Sequence, residues 1–307
     1  MPQDSEAART SVDKAPPVVI SHGWMSKSKH HAQQLQNTTL YATDTETGKS
    51  LKSLWPQIRE LLSKRRKTGE KRLARPLTRE TASALFIKAS TIDSIPARIR
   101  TTLGIRRRSG LYDWVLEELN NHAEAQKRTT LVPKLLGYGL VRQRSGLVTE
   151  VFLNYENLAD WLDGFDWLQQ NPSQANSFAE ACLELITQLN QSGIYHLDLW
   201  AGNVMIHEGN LEDLKVIDLE NCYIGDNPHS SETLGFQFAF LYQHQLHDFI
   251  SESLYDQLVS TQLARLKGIE QSRFRLFYDH FKHHGADRKE RHLIPKTGQL
   301  ERLKPAH

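Results

Sequence analysis

Three polar side chains lie at the ends of two short apolar runs in the segment 196–218. Asp198 and Asn203 precede the first run, and Asp218 ends the second. Residues 208–210 between the runs read Glu-Gly-Asn, which favours a tight turn, so the two runs predict an antiparallel hairpin. Because a hairpin reverses the chain, we expect these three side chains to lie together at its open end.

Such a group of oxygen ligands suits phosphoryl transfer from ATP. The reaction depends on positioning and on neutralising the charge of the phosphate oxygens, and a hard Mg²⁺ ion with oxygen ligands does this well. Asn203 and Asp218 can supply those ligands, while Asp198 can accept the proton of an attacking hydroxyl. The sequence therefore predicts an ATP- and Mg²⁺-dependent kinase with Asp198 as its catalytic base and Asn203 and Asp218 as its metal ligands.

The same string resembles the catalytic loop of the protein-kinase-like superfamily. That loop reads H-x-D-x-x-x-x-N, matched here by His196, Asp198 and Asn203, and its metal-binding aspartate closes the following hairpin, as Asp218 does. The next two residues are Leu and Glu, where protein kinases have Phe and Gly, a variation also tolerated in sugar and lipopolysaccharide kinases. The resemblance covers about residues 70–250 and implies a two-lobed α+β fold, with a small antiparallel sheet lobe and a mainly helical lobe.

Upstream of this loop, a lysine ends a short apolar run and resembles the strand-three lysine of the same superfamily. Residues 84–87 read Ala-Leu-Phe-Ile, and Lys88 follows them. The resemblance implies that this lysine contacts the ATP phosphates and pairs with a glutamate on the next helix. We favour Glu118 as that partner, and Asp113 and Glu117 on the same predicted helix remain open.

The predicted hinge between the lobes lies near the end of a second pair of strands. Glu150, Val151 and Phe152 are followed at 157–162 by Asn-Leu-Ala-Asp-Trp-Leu, and together they resemble the hinge and the first C-terminal helix of these kinases. The resemblance implies that backbone groups near Glu150 and Phe152 bind the adenine of ATP.

The catalytic loop departs from that of protein kinases in ways that bear on the acceptor. Leu197 replaces the arginine that binds a phosphorylated activation loop, Trp200 stands where Ser/Thr kinases place a lysine, and no A-P-E follows Asp218. These departures favour a small-molecule or glycan hydroxyl over a protein substrate. Within the superfamily the chain most resembles the lipopolysaccharide core kinases, which implies a sugar or lipid-linked glycan acceptor such as the Kdo or heptose of lipopolysaccharide.

A missing motif leaves two other functions open. Kinases usually fold a Gly-rich loop over the nucleotide, yet residues 70–87 contain no glycine. A nucleotide-binding pseudokinase that acts as a scaffold or regulator is therefore the main alternative, followed by a protein kinase. Loss of phosphate transfer on Asp198→Ala would favour the enzyme, whereas ATP binding without transfer would favour the pseudokinase.

Hydrophobic periodicity divides the chain into three predicted segments. Residues 1–45 show no sustained period and predict an unstructured arm. Residues 46–153 predict the N-terminal lobe, which starts with an amphipathic helix at 51–66, and residues 154–307 predict the helical C-terminal lobe. Further helices are predicted at 111–125, 158–162, 178–191, 234–246 and 254–266.

Composition and charge limit the compartments and the binding partners that we expect for this protein. The net charge of +2 over 307 residues gives no argument for nucleic acid, and Cys182 and Cys222 form no pattern typical of disulfides or zinc sites. No apolar stretch is long enough to span a bilayer, so we expect a cytoplasmic protein. The basic runs 64–67 and 106–108, together with the amphipathic helix, suit peripheral contact with an anionic inner membrane.

Overall fold

The computed structural model describes residues 31–79 and 82–300, which form two lobes with a cleft between them. Within these residues, the N-terminal lobe is a six-stranded antiparallel sheet with helices on it, and the C-terminal lobe is mainly helical. The predicted two-lobed α+β fold is confirmed. In the part of the chain described, no helix is both long and apolar enough to cross a membrane.

The N-terminal lobe is built on a sheet that carries helices on both faces. Its elements are β1 (His31–Leu35), β2 (Thr38–Ala42), α1 (Thr45–Thr68), β3 (Arg72–Arg79), β4 (Ala82–Thr91), α2 (Ile95–Leu103), α3 (Trp114–Ala125), β5 (Leu135–Arg142) and β6 (Val148–Glu156). The strand order is β1-β2-β5-β6-β4-β3. Side chains of β6 alternate between two apolar cores, so that Phe152 packs on the α1 side and Val151 and Leu153 pack on the α3 side.

The apolar face of α1 packs on this sheet. Leu54, Ile58 and Leu62 recur at helical spacing and are all buried. Burying each of these side chains stabilises the lobe by about 1.5–3 kcal/mol. The amphipathic helix predicted at 51–66 is present and runs from Thr45 to Thr68, and its apolar face is inside the lobe.

The first described residues differ from the arm predicted at 1–45. β1 and β2 form a hairpin in which Leu40 and Ala42 are buried, and β2 pairs with β5. Residues 31–39 are mostly polar, so hydrophobic periodicity does not predict this hairpin. One face of an antiparallel edge strand can remain in water, which allows such a sequence to form strands. Residues 1–30 of the predicted arm lie outside the described residues.

The C-terminal lobe surrounds a core rich in aromatic side chains. Its elements are β7 (Trp161–Asp163), α4 (Gly164–Gln170), α5 (Ala175–Gln191), β8 (Ile194–His196), β9 (Val204–His207), β10 (Asn210–Val216), β11 (Cys222–Ile224), α6 (Ser230–Gln243), α7 (Glu252–Arg265), α8 (Gln271–Phe281) and α9 (Arg288–Thr297). α6 packs closely on α8, where Phe238 and Phe274 meet edge to face. Gly235 permits this approach, because a Cβ there would lie 2.4 Å from the Phe274 carbonyl oxygen.

The helix predicted at 158–162 is wrong. Residues Trp161–Asp163 form β7, which pairs with β9, and Asp163 then caps α4 by accepting hydrogen bonds from the backbone N–H groups of Phe165 and Asp166. The helix therefore begins only after its N-cap residue. The other predicted helices are present as α3, α5, α6 and α7.

The chain crosses between the lobes at the end of β6. This strand continues to Glu156, and within it Leu153 is buried and pairs with Lys88 of β4 and Tyr138 of β5. The boundary predicted between 153 and 154 therefore lies inside a strand that is hydrogen-bonded on both sides.

Candidate active site

A cleft of about 660 Å³ lies between the lobes and is lined by β3, β4, α3, the end of β6 and the β9–β10 hairpin. Most of its wall is apolar, and charged groups cluster around Lys88. The apolar lining consists of Ala74, Pro76, Phe86, Pro133, Leu158, Ala159, Met205 and Ile217. An apolar slot with a few convergent charged groups is typical of a binding site for a nucleotide, which has a flat base and anionic phosphates.

Lys88 joins the sheet lobe to two acidic groups. Its Nζ donates to Glu118 Oε1 at 2.8 Å and to Asp218 Oδ1 at 3.0 Å. The Tyr155 hydroxyl also donates to Glu118 Oε1, at 3.2 Å. β4 supplies the lysine, α3 the glutamate and the segment after β10 the aspartate, so this cluster connects the two lobes.

The other acidic residues considered as partners of Lys88 lie elsewhere. Asp113 is bound by two arginines of the N-terminal lobe. Glu117 accepts a hydrogen bond from a backbone N–H at 2.7 Å. Of the three candidates, the structure brings Glu118 to the lysine.

Lys88 and Asp218 stabilise each other's charge in this cluster. Burial by itself lowers the pKa of Lys88, but the carboxylates of Glu118 and Asp218 outweigh burial and hold that pKa above its ordinary value. For Asp218, burial raises the pKa, but the ammonium group of Lys88 outweighs burial and the pKa is lowered. Lys88 and Asp218 are therefore both charged at neutral pH, as contact with phosphate and with a cation requires.

The backbone at Asp218 is strained. Its φ of 62° lies in the left-handed region, which costs a non-glycine residue about 1–2 kcal/mol. Such conformations persist where the surrounding contacts over-determine them, and they cluster at functional sites. Here the ion pair with Lys88 is one of those contacts.

A buried histidine fixes the loop that carries Asp198. His196 Nε2 donates to the Ile217 carbonyl at 3.0 Å, and its Nδ1 accepts a hydrogen bond from the Asp198 backbone N–H at 3.2 Å. Burial lowers the pKa of His196, which keeps the ring neutral with its proton on Nε2. The histidine thereby ties the loop before β9 to the residue that precedes Asp218.

The Asp198 carboxylate is held from two sides. Asn221 Nδ2 donates to its Oδ2 at 2.9 Å, and Arg291 of α9 forms an ion pair with its Oδ1. A carboxylate can accept about four hydrogen bonds, so these partners leave capacity for another donor. The Asp198 side chain is 30% exposed, so a ligand can reach it from solvent.

Asn203 and Asp218 fit a magnesium site. Both line the cleft, and the Ile217 N–H donates to the Asn203 carbonyl at 3.0 Å, which holds the two segments side by side. Asn203 Nδ2 donates to the Asp198 carbonyl at 2.9 Å, which leaves the amide oxygen for a cation. One amide oxygen and one carboxylate, completed by phosphate oxygens, form a ligand set that Mg²⁺ accepts.

Two residues predicted to lie at the adenine do not line the cleft. Glu150 is buried, and its Oε1 lies 2.8 Å from both Arg65 Nη2 and Arg66 Nε of α1. Phe152 is fully buried in the core between α1 and the sheet. The reason is that β6 continues beyond Phe152, so the residues that line the cleft at this edge are 155–159.

Sequence reasoning missed two side chains of α3 that organise the cleft. His122 is buried against Tyr155 with ring centroids 4.7 Å apart, and burial lowers its pKa to about 4. Asn121 Nδ2 donates to the Leu219 carbonyl at 2.8 Å and so ties α3 to the segment after β10. Both residues follow Glu118 at the three- and four-residue spacing of one helix face, which is the signal that could have identified them.

A known protein family matches the part of the chain that carries most of these residues. Residues 115–231 match the model of the lipopolysaccharide kinase (Kdo/WaaP) family. The matched segment includes Glu118, Asp198, Asn203 and Asp218. No curated protein sequence matches the chain.

Two solved structures are similar in part. WaaP in complex with acyl carrier protein has 18% sequence identity and a TM-score of 0.44, covering 69% of this chain and 83% of that chain. A Stt7 homolog from Micromonas algae, soaked with ATP, has 10% identity and a TM-score of 0.36, covering 72% of this chain and 56% of that chain. The family match over the segment that carries the predicted catalytic loop confirms the predicted resemblance to the lipopolysaccharide kinases and the predicted phosphotransferase class.

Proposed function

We propose that the protein transfers the terminal phosphate of ATP, with Mg²⁺, to a hydroxyl group of a sugar or lipid-linked glycan such as lipopolysaccharide core. The observation that carries the proposal is the contact of Lys88 with both Glu118 and Asp218 in a cleft that Asn203 also lines. These are the types of groups that bind ATP phosphates and a magnesium ion. The contact between Lys88 and Asp218 joins the two lobes at the cleft.

Each residue has a separate role in the proposed reaction. Lys88, held by Glu118, contacts the ATP phosphates. Asn203 and Asp218 would hold Mg²⁺, which when bound neutralises charge on the phosphate oxygens. Asp198 orients the acceptor hydroxyl and accepts its proton as the oxygen attacks phosphorus.

The apolar part of the cleft suits the adenine base. Phe86 of β4 lies in the same lining as Met205 and Ile217 of the C-terminal lobe. Residues 156–158 follow the last strand of the sheet and line the cleft at its edge, so their backbone groups are placed to hydrogen-bond the base. This segment takes the role first assigned to the residues near Glu150.

Aromatic side chains next to the catalytic loop support a sugar acceptor. Trp200 is partly exposed, and its ring centroid lies 5.1 Å from that of His244 and 6.3 Å from that of Phe165. The C–H face of a sugar ring packs well on flat aromatic groups of this kind. Leu197, which cannot bind a phosphorylated activation loop, is buried and adds no charge next to these aromatic side chains.

We also propose that the protein makes peripheral contact with an anionic inner membrane, and an exposed helix supports this. Among the described residues, four of the five exposed large hydrophobic side chains lie between 95 and 105. Ile95, Ile99 and Leu103 of α2 are 64%, 41% and 56% exposed and share one helix face, since they are four residues apart. An exposed apolar face of this kind is typical of a helix that lies in the headgroup region of a bilayer.

The charge that follows α2 favours an anionic lipid surface over an uncharged partner. Arg106 and Arg108 come directly after the helix and are exposed. Each arginine near such a surface contributes about 1 kcal/mol of attraction. This surface replaces the helix predicted at 51–66 as the membrane contact, because the apolar face of that helix is buried. A lipid-linked acceptor would then present its sugar at the cytoplasmic face of the membrane that the protein contacts.

Phosphate transfer from radiolabelled ATP to deacylated lipopolysaccharide core tests the proposed function. We expect Mg²⁺-dependent labelling of the glycan, and a loss of about 10²- to 10⁴-fold in Asp198→Ala, because the base that accepts the hydroxyl proton is removed. Asp248→Ala, at an exposed carboxylate, is the matched control and should keep full activity. Label on polypeptide would favour a protein kinase, and metal-dependent ATP binding without any transfer would favour a pseudokinase.

A further inference from the structure

The catalytic loop has no cation of its own beside the base. Trp200 stands where Ser/Thr protein kinases place a lysine that neutralises the transferred phosphate, and the neighbouring Leu197 carries no charge. The transferring phosphoryl group spreads negative charge over three oxygens, and Lys88 approaches it from the nucleotide side. A second positive group on the acceptor side would complete the neutralisation.

The C-terminal helix α9 supplies a positive group at this place. Arg291 forms an ion pair with Asp198 Oδ1, and its Nη1 lies 3.3 Å from the Leu197 carbonyl oxygen. Its guanidinium carbon lies 5.3 Å from the centre of the Phe240 ring, and its side chain is 15% exposed. The helix therefore holds a largely buried positive charge against the catalytic base.

A cap at its start and an ion pair to the segment after β10 set the position of α9. Asp287 caps the helix by accepting a hydrogen bond from a backbone N–H of the first turn at 2.8 Å. Arg288 forms an ion pair with Glu220, which is buried and stands two residues after Asp218. Arg291 is thus positioned by packing and ion pairs of α9.

Part of the Arg291 side chain remains open to a ligand. The side chain is 15% exposed, and it lies beside the Asp198 carboxylate, which is 30% exposed. An acceptor hydroxyl hydrogen-bonded to Asp198 would stand about 3–3.5 Å from the phosphorus, so the phosphoryl oxygens come within reach of a guanidinium that contacts the same carboxylate.

We propose that Arg291 contacts the transferring phosphoryl group and neutralises its charge on the acceptor side, an inference that rests on the proposed kinase function. In this step the bond between the γ-phosphorus and the oxygen bridging to the β-phosphate breaks, and its electron pair stays on ADP. The acceptor oxygen forms the new bond to phosphorus, and its proton passes to Asp198. Arg291 keeps its own proton throughout, because a guanidinium does not lose it in proteins.

Steady-state kinetics of Arg291→Gln and Arg291→Lys test the proposal, with radiolabelled ATP and deacylated lipopolysaccharide core as the probe substrates. We expect Arg291→Gln to lower kcat about 10²- to 10³-fold, as loss of one preorganised donor does. Both KM values should change less than about threefold, because the contact forms only in the transition state. Arg291→Lys should retain more activity than Arg291→Gln, since it keeps the charge and loses the forked geometry.

A matched control lies on the same helix. Lys296 is exposed on α9 and does not line the cleft between the lobes. Lys296→Gln removes one positive charge from α9 just as Arg291→Gln does. We expect this variant to keep the wild-type kcat and both KM values.

A binding measurement tests the same contact without turnover. Calorimetry can compare the affinity for ADP and Mg²⁺ with and without aluminium fluoride, which mimics the phosphoryl group during transfer. The wild type should bind ADP more tightly when fluoride is present, as transition-state analogues do. Arg291→Gln should lose most of that gain, and Lys296→Gln should keep it.

The outcomes separate this inference from the proposed function. If the wild type transfers no phosphate, the kinase proposal fails, and the fluoride measurement alone decides about Arg291. If the wild type is active but Arg291→Gln keeps kcat within about twofold, or raises only the KM for the glycan, the phosphoryl contact is overturned. If Arg291→Gln does not fold, Arg291→Lys takes its place. For the proposal to stand, Arg291→Lys must lower kcat and reduce the increase in ADP affinity that aluminium fluoride causes.

Discussion

Two helices of the N-terminal lobe have similar sequence patterns and opposite orientations. α1 and α2 both carry apolar residues at helical spacing, and a basic run lies at or just after the end of each. In α1 the apolar residues face the sheet, whereas in α2 Ile95, Ile99 and Leu103 face water. Periodicity therefore shows that a helix is amphipathic, and it does not show what the apolar face contacts.

Polar contacts explain how α2 keeps its apolar face outward. Arg98 Nε donates to a backbone carbonyl at 2.8 Å, and Arg100 donates through two nitrogens to Asp113, each at 2.9 Å. The Thr102 hydroxyl accepts a hydrogen bond from the Val148 backbone N–H at 2.8 Å. The polar side of α2 thus holds it on the lobe, and its apolar side is left for another partner.

The basic end of α1 is engaged inside the same lobe. Arg65 is 1% exposed, and it shares Glu150 with Arg66. Part of the basic run at 64–67 therefore stabilises the fold, while Arg108 after α2 stays exposed. A count of charges in the sequence treats the two runs alike, and burial distinguishes them.

The largest effect we expect comes from an identical substitution made in the two helices. Ile58→Ala in α1 should lower the free energy of unfolding by about 2–5 kcal/mol, because it leaves a cavity in the core between the helix and the sheet. Ile99→Ala in α2 should change it by less than about 0.5 kcal/mol. Urea unfolding measures both. Similar losses in the two variants would show that α2 is packed as tightly as α1.

The next effect concerns binding to lipid. Replacement of Ile95, Ile99 and Leu103 by serine should weaken binding to anionic liposomes, measured by sedimentation, by about a hundredfold or more, because each side chain that enters the bilayer contributes up to about 1.5–3 kcal/mol. Leu276→Ser, at an exposed leucine of α8, is the control and should bind as the wild type does. Unchanged sedimentation of the triple variant would assign the apolar face to a protein partner instead.

A smaller effect should follow from the charge beside α2. Arg106→Gln with Arg108→Gln should weaken liposome binding by about 2 kcal/mol at physiological salt, and the difference should shrink in 1 M salt because the attraction is screened. Lys67→Gln, at the exposed basic end of α1, should have no effect. If Lys67→Gln weakened binding as much, α1 and α2 would lie on one membrane surface.

The candidate active-site residues that the sequence predicted belong to local patterns. Asp198, Asn203 and Asp218 surround one hairpin, whose turn and apolar runs can be read along the chain, and the structure brings their segments to one cleft. Arg291 lies 93 residues after Asp198 in sequence, on a helix with no motif. Its contact with the catalytic loop depends on how α9 packs, which no local pattern encodes.

Predictions failed where they depended on the end of an element. β6 pairs with β4 and β5, and these tertiary hydrogen bonds extend it to Glu156, so Glu150 and Phe152 fall inside the sheet. The helix predicted at 158–162 begins only after its cap at Asp163. Element type follows from side-chain pattern, whereas element ends are set by partners that are distant in sequence.

The last and smallest test concerns the anchor that holds α2. Burial raises the pKa of Asp113, but hydrogen bonds from Arg100 and Arg107 outweigh burial and lower it below its ordinary 3.8. The stability that the anchor contributes is therefore complete above that ordinary value and is lost as the pH falls through the lowered pKa, so it does not change between pH 5 and 8. Asp113→Asn removes the charge at any pH.

We expect Asp113→Asn to increase amide hydrogen exchange in α2 about tenfold at pH 7, corresponding to about 1.4 kcal/mol of local stability, with little change in α1. Asp93→Asn, at an exposed carboxylate that pairs with Lys71 just before α2, is the control and should leave exchange unchanged. If α2 stayed protected in Asp113→Asn, its outward orientation would depend on the contacts of Arg98 and Thr102 alone. Faster amide hydrogen exchange in α2 together with weaker liposome binding would instead show that the ion pairs of Asp113 orient the apolar face of α2 toward the membrane.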